Sequence, residues 1–369
     1  LTAPNFPTNY LTNITVNFGS LYEVASISTG EKPPTQIAST GGQFAYLNGG
    51  ASPSGRLSSA NTKGNSVAIP SRGSVGIVAW SEREFWCGPL SYRIRSLDEN
   101  TLLTRFLYFA LKHVERDIIN LQQSGSIPAL NKGPLSKVRV PIPPIHVQRE
   151  IVNNLNAFTT LEAELEAELA ARKIQLGHYR DVLFKFDEGS RVQWLSLGDF
   201  ADIGTGSRNT NQAEELGDYP FFVRSQNALL ASSFDFDEKA IVTAGDGVGV
   251  GKVLHYVDGK YALHQRAYRI APKDDRVLAK YLFHFMKQDF SLYLETTSVH
   301  ASVTSLRKPM FEKYKVPVPS LERQIEIITA LDVLENLISD SDSGIPAELA
   351  ARRKQYEYYR AELLTFKEA

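Results

Sequence analysis

The sequence predicts a mixed α/β chain (α+β in layout), built as two tandem copies of one globular domain, each followed by long coiled-coil helices. Three observations carry this. Residues 20–155 recur 176 positions later, as Ser20 recurs at Ser196. Each copy shows short β-like runs between turns rich in Gly, Ser and Asn. Each ends in a proline-bearing exit and then in a helix with apolar residues every three or four positions. A period this long is not a solenoid repeat, which runs about 20–50 residues. It marks a duplicated domain, and so two copies of one binding surface.

The repeat can be followed block by block. Ala25, Ile27, Thr29 and Gly30 return as Ala201, Ile203, Thr205 and Gly206. Tyr92-Arg93-Ile94 becomes Tyr268-Arg269-Ile270, and Leu130 becomes Leu306. Val140-Pro141-x-Pro143 becomes Val316-Pro317-x-Pro319, with Gln148 and Leu155 returning as Gln324 and Leu331.

Four segments follow: residues 1–143, 144–187, 188–319 and 320–369. The first alternates β-like runs (Ser66 to Pro70, Gly73 to Trp80, Leu90 to Arg95) with turns. One amphipathic helix is expected from Leu102 to about Leu121. Val138 to Pro144 reads as extended, because its prolines forbid helix. From His146 to Phe186 the seam Val147, Ile151, Leu155, Phe158, Leu161, Leu165, Leu169, Leu176, Tyr179, Leu183, Phe186 predicts one long helix. About forty residues at 1.5 Å each make a rod of ~60 Å. The third segment repeats the first, with a helix from about Val277 to Leu294 and an exit at Val316 to Pro319. In the fourth, Ser339 to Pro346 breaks the rod into helices over about 321–338 and 346–367. Glu162-Ala163-Glu164-Leu165 is followed by Glu166-Ala167-Glu168-Leu169. Each such unit adds about 6 Å and nearly keeps the leucine face in register. A ruler and a plainly solvated helix face both fit these residues.

Composition, with 43% apolar and 22% charged residues over 369, is that of an ordinary globular chain of two or three domains. A single cysteine, Cys87, excludes a disulfide framework and a cysteine-based zinc site, and points to a reducing, cytoplasmic setting. No apolar stretch approaches the ~18 residues that span a bilayer. The sequence begins at Leu1 rather than Met, so preceding residues are expected. Net charge is −1, but residues 1–150 carry 14 Lys/Arg against 9 Asp/Glu, whereas residues 326–369 carry 5 against 9. Base lies in the globular segment and acid in the helices. A nucleic-acid partner is therefore permitted by the charge but not demanded by it.

No catalytic constellation emerges. Gly245 to Lys252 invites a phosphate-loop reading, but Asp246 and Val253 stand where the motif needs glycine and a hydroxyl. A tight turn fits better, with backbone approach to a nucleic-acid phosphate as its functional form. The seven histidines show no metal-ligand spacing, so no metal site is expected. Base reading would use polar loop residues. These are Asn48, Arg56, Lys63, Ser71 and Arg72 in the first copy, and Arg208, Arg224, Gln226, Asn227 and Lys252 in the second. A solvated loop residue is the competing reading of each.

The run Arg352-Arg353-Lys354-Gln355-Tyr356-Glu357-Tyr358-Tyr359-Arg360, after Gly344-Ile345-Pro346-Ala347-Glu348, closely resembles the end of the specificity subunits of type I restriction–modification systems. So do the Pro-Pro exit with Gln148, its counterpart Pro319 with Gln324, and the Glu-Ala-Glu-Leu units. The resemblance spans essentially the whole chain. In the first copy Leu176, Gly177 and His178 replace Tyr356, Glu357 and Tyr358, and Ser320 replaces the second exit proline.

The resemblance implies a non-catalytic DNA-reading subunit. Two target-recognition domains would each read half of a split duplex site, about a pseudo-two-fold axis, with antiparallel rods fixing the gap. It implies no cofactor on this chain; S-adenosylmethionine would sit on two modification subunits, and ATP and Mg on partner subunits that include the restriction subunits. Leu161, Leu165, Leu169, Tyr179, Arg353, Tyr356, Tyr358 and Tyr359 would serve rod packing or partner contact. The rival reading is a coiled-coil scaffold whose globular halves bind protein.

Overall fold

A computed structural model describes residues 15–34, 41–50, 52–123, 128–186, 192–297 and 305–369. The chain forms two compact units, Leu1–Glu166 with Glu348–Ala369, and Ala167–Ala347. In chain order the first part holds β1 (Thr15–Ser20), α1 (Leu21–Val24), β2 (Ala25–Thr29), β3 (Phe44–Leu47), β4 (Gly55–Leu57), β5 (Ser66–Pro70), β6 (Ala79–Ser81), β7 (Phe85–Cys87) and β8 (Ser91–Ser96). Then come α2 (Thr104–His113), α3 (Glu115–Asn120), α4 (Lys132–Ser136), β9 (Arg139–Ile142) and the long α5 (Ile145–Leu183). The second part holds β10 (Gln193–Ser196), α6 (Leu197–Phe200), β11 (Ala201–Thr205), β12 (Tyr219–Phe222), β13 (Leu229–Ala231), β14 (Phe236–Ala244), β15 (Leu254–Leu263), β16 (Ala267–Pro272), α7 (Ala279–Thr297), α8 (Lys308–Glu312), β17 (Lys315–Val318) and α9 (Leu321–Ser339). α10 (Ile345–Leu364) and β18 (Lys367–Glu368) close the chain.

In the first unit a four-stranded sheet runs β2-β8-β5-β6, beside smaller sheets β4-β3-β7 and β18-β1-β9. Alternation along β8 sorts its residues: Tyr92 and Ile94 point into the core, Arg93 and Arg95 to the other face. The core joins Ile27, Val67, Ile69 and Ile94 to Phe106, Phe109 and Ala110 of α2, to Val147, Ile151 and Leu155 of α5, and to Leu363 and Leu364 of α10. Burying each such Leu, Ile or Phe stabilises by about 1.5–3 kcal/mol. In the second unit the larger sheet runs β11-β16-β14-β15-β12-β13, with β10-β17 separate. Its core joins Ile203, Ile241 and Ile270 to Tyr281, Phe285 and Phe290 of α7, to Ile327 and Leu331 of α9, and to Leu176 of α5.

The duplication extends to hydrogen bonds. Ser20 faces Arg139 across β1–β9, and Ser196 faces Lys315 across β10–β17. The fully buried Gln148 donates from Nε2 to the carbonyls of Thr101 and Pro143 and accepts from the Leu103 amide, each at 2.8 Å. Gln324, also fully buried, donates to Arg276 (2.7 Å) and Pro319 (3.0 Å) and accepts from Leu278 (2.9 Å). One glutamine in each unit thus ties the exit, the rod's first turn and the start of the sheet-packing helix.

Two expectations change. The helix foreseen over 102–121 divides at Val114, whose φ/ψ of −96°/19° leaves the helical region. There Glu115 turns to accept from the Val78 amide (2.7 Å) and from Lys112 (2.6 Å), while Ile118 is buried. The four sequence segments also regroup by packing, because the first turns of α5 and the last of α10 complete the core of the first unit. α5 itself runs 39 residues, about 58 Å at 1.5 Å per residue, through Gly177 without a break.

Within the first unit α5 and α10 run antiparallel. Phe158 stacks on Tyr359 (5.4 Å) and meets Tyr356 (6.4 Å), and further along α5 Glu162 and Glu166 each accept from Arg353 at 2.6 Å. Within the second unit, Arg180 of α5 pairs with Glu335 of α9, which also takes Lys287 of α7 at 3.1 Å. Leu161, Leu165 and Leu169 are half-buried. Of the two uses expected for Tyr179 and Tyr358, rod packing is the less complete, since they are 40% and 60% exposed and Arg180 is the residue that pairs with α9.

Candidate nucleic-acid interface

Each unit gathers three loops at one end of its sheets: the exit of β3 (or β12), the exit of β5 (or β14), and the turn from β7 to β8 (or β15 to β16). A shared backbone frame holds them. In the first unit the Ser71 amide donates to Leu90 and the Leu130 amide to Ser71, both at 2.9 Å. In the second, the Gly245 amide donates to Arg266 (2.8 Å) and the Leu306 amide to Gly245 (2.7 Å). Gly88 to Leu47 (2.8 Å) is matched by His264 to Phe222 (3.0 Å). Gly73 has φ +77° and Gly247 has φ +80°, at the same place in the two frames. A Cβ on Gly73 would lie 2.4 Å from the Gly49 carbonyl, so this turn requires glycine.

The tips of this frame differ. In the first unit Arg72 is exposed beside Ser71. Asn48, expected to read bases, instead accepts from the Leu90 amide at 2.9 Å and pins the turn. Arg56 lies apart, donating to the Gly42 and Gln43 carbonyls at 2.6 Å each. Lys63 lies apart too, exposed on the loop before β5. In the second unit Arg224, Gln226, Asn227 and Lys252 do come together. Gln226 Nε2 donates to the Lys252 carbonyl at 3.0 Å, and His255 Nε2 lies 3.1 Å from the Ser225 carbonyl. Arg208 is the exception: its guanidinium is held by Asp235 at 2.9 Å and by Ser233, with the side chain 15% exposed. It is a structural ion pair and not a free reader.

Residues that the sequence reading missed complete the second cluster. Asp246 accepts from Arg224 at 2.7 Å and from Arg266 at 3.2 Å, so one carboxylate orients two exposed guanidinium groups. Burial pushes the Asp246 carboxyl up, but the Arg224 hydrogen bond and the charges of both arginines outweigh it and hold the group below its ordinary range. Burial lowers His255 and His264, the latter aided by Arg224 and Arg266, so both stay neutral near pH 7. Such a fork can meet O6 and N7 of guanine in the major groove. The Gly247–Gly249 segment is a single tight turn with Val248 fully outside. Periodicity could have flagged Arg93 and Arg95, which alternate with core residues on β8; nothing local flags the Asp246–Arg266 pairing.

Among the described residues no group of three His, Cys, Asp or Glu could hold a metal ion. No described helix is long and apolar enough to cross a membrane. Cys87, the last residue of β7, is buried with Leu47, Ala68 and Phe85, and burial pushes its thiol up to about 12.

Comparison with known proteins gives a consistent result. The profile of the type I restriction modification DNA specificity domain matches residues 13–171 and again 190–351. The type I restriction enzyme EcoR124I/EcoR124II specificity subunit of Escherichia coli is 30% identical over 298 residues, covering 74% of this chain and 73% of that protein. A Haemophilus influenzae chain named for the same class of subunit is 27% identical, covering 95% and 96%. The crystal structure of the type I restriction–modification S subunit from M. genitalium superposes with a TM-score of 0.70 at 19% identity, covering 97% of this chain and 99% of that one.

Proposed function

Since the chain belongs to the type I restriction–modification DNA specificity family, we propose that each three-loop frame reads one half of a bipartite DNA target. As a specificity subunit the chain recognises DNA sequence and is not itself the enzyme. The scaffold alternative is set aside, because the family profile covers both globular segments.

One observation supports the half-site assignment: the backbone frame is the same in the two units while the side chains at its tips are not. A constant frame places a loop in a groove, and divergent tips let each unit select different bases. In the first unit the tip offers Ser71 and Arg72. In the second it offers Arg224, Gln226, Asn227, Lys252 and Arg266. Two modest half-site affinities combine when both are on one chain. The rods, α5 with α9 and α10, would set the gap between half-sites. Their exposed Tyr179 and Tyr358 would meet partner subunits.

In this reading two modification subunits carry S-adenosylmethionine and extrude the base to be methylated. Restriction subunits supply ATP- and Mg-dependent steps, and the assembly acts in the cytoplasm. Methylome sequencing of cells carrying the assembled system tests the assignment. Arg266→Ala should cost about 1–3 kcal/mol at one base and relax one half of the split target only. Arg72→Ala should relax only the other half. Relaxation of both halves by either variant, or of neither, would overturn the loop assignment.

A further inference from the structure

The outer face of the four-stranded sheet in the first unit differs from its counterpart in the second in a way that the duplication makes legible. Across β2–β8, Ser26 faces Arg95 and Ser28 faces Arg93. Across β11–β16, Asp202 stands at the place of Ser26, Gly204 at that of Ser28, Arg269 at that of Arg93 and Ala271 at that of Arg95. In the second unit this face is closed. Arg269 is taken by Asp202 and by Glu238 (3.0 Å) and lies 4.6 Å over Phe236, and Ala240, Val242 and Ala271 join an apolar cluster.

In the first unit the same face stays open. A cavity of about 290 Å³ is lined by Lys63, Arg93, Arg95, Asn61 and the hydroxyl residues Ser26, Ser28, Thr62 and Ser96, with no carboxylate among them. Arg93 is braced: Nε donates to Ser28 Oγ (2.8 Å), Nη1 to the Asn61 carbonyl (2.7 Å), and Nη2 pairs at 3.1 Å with Glu31, whose side chain is 62% exposed and therefore screened by water. Arg95 Nη1 donates to the Gly64 carbonyl at 2.6 Å and to Ser66 Oγ at 3.3 Å. The neighbouring cavity, which shares Arg95, contains Glu82 and Glu99, and Glu99 is bound by Thr104.

We propose that this face of the first unit is a binding pocket for a phosphate-type oxyanion, held by Lys63, Arg93 and Arg95 with the Ser26 and Ser28 hydroxyls. Three cations, one of them paired at the rim with the exposed Glu31, and the hydroxyls beside them in a cavity with no carboxylate in its lining favour a multiply charged tetrahedral oxyanion, since charge-assisted hydrogen bonds are roughly twice as strong as neutral ones. The phosphate can come from the backbone of a bound duplex, which rests on the DNA reading above, or from soluble phosphate.

The full chain separates these sources. Inorganic phosphate, at ionic strength matched with chloride, should raise the melting temperature of the parent. The rise should vanish in Lys63→Gln/Arg95→Gln and persist in the charge-keeping Lys63→Arg/Arg95→Lys. Ser26→Asp, which copies the closed second unit, should also abolish it while leaving every cation in place; it decides the matter if the double variant does not fold. In a second arm, a duplex carrying the split target is titrated over a salt series. A slope of log K against log salt that is shallower by about 0.9 in the double variant, with unchanged sequence preference, assigns the duplex backbone. A phosphate response with an unchanged slope assigns a soluble phosphate. A parent that ignores phosphate and whose variants keep the parental slope overturns the pocket, as does a phosphate response that survives Ser26→Asp. Failure of the parent to retain any split duplex sinks the DNA reading instead, and the phosphate arm still decides the pocket.

Discussion

Replacing Gln148 by leucine tests whether the buried glutamine holds the exit of the first unit together. The side chain is fully buried and makes three hydrogen bonds at 2.8 Å. At about 1 kcal/mol net each, their loss sets a floor of about 3 kcal/mol. The substitution also strands the Leu103 amide and the Thr101 and Pro143 carbonyls, and orphaned buried groups cost about 1–3 kcal/mol apiece. Part of that is recovered by apolar burial of the new side chain, so a loss of about 3–5 kcal/mol is expected. For a unit of this size it corresponds to a drop of roughly 6–20 °C in melting temperature. Amide exchange at Leu103 should accelerate, while Leu278, held by Gln324, keeps its protection. Gln148→Glu adds a sign test. Its carboxylate would face two carbonyl oxygens, so its folded pKa rises above the unfolded ~4.3. The variant should be most stable below that value and weaken as pH climbs through the folded pKa. A Gln148→Leu variant that melts within a degree of the parent, with Leu103 exchange unchanged, refutes the reasoning.

Inserting a further Glu-Ala-Glu-Leu after Leu169 lengthens α5 by ~6 Å, at most about two base pairs at ~3.4 Å each. Methylome sequencing should show a wider gap between unchanged half-sites, and an unaltered gap removes the ruler. A Cβ on Gly177 would meet nothing within 4 Å, so Gly177→Ala should stabilise by about 0.5–1 kcal/mol in denaturant titration, and a loss would expose a hidden constraint. Burial pushes the Glu335 carboxyl up, yet His284, Lys287 and Arg180 outweigh it and leave it at about 2. A depressed folded pKa contributes stability that is present above the ordinary value of 4.5 and lost as pH falls toward 2. Glu335→Gln should therefore be less stable than the parent at neutral pH and equal to it near pH 2; a constant difference would contradict the assignment.

The architecture was largely legible because a duplication turns one sequence into two readings of the same fold. Gln148 and Gln324 stood out as repeated residues, and the structure supplies the reason, three bonds that no shorter side chain could make. The rod was legible from Val147 to Phe158, where apolar spacing and burial coincide. It was less legible at Tyr179, since spacing alone cannot tell which of two adjacent residues faces a partner helix that carries Glu335. The break at Val114 was hidden for a related reason: Glu115 is drawn out by the Val78 amide, 37 residues away. Loop readers were the least legible. Asn48 and Arg208 have suitable chemistry, but Leu90 and Asp235 already occupy them. Arg266 joins the cluster only when folding brings it beside Asp246.

The nested layout of the units bears on how the protein is made. Residues 167–347 form a continuous stretch, so the second unit can finish folding once that stretch has left the ribosome. The first unit starts earlier but needs Leu363 and Leu364, from α10, to close its core. Its loops are therefore synthesised first and secured last. A transcript cut short before α10 would yield a sound second unit beside an unsealed first one, which couples half of the target recognition to completion of the polypeptide.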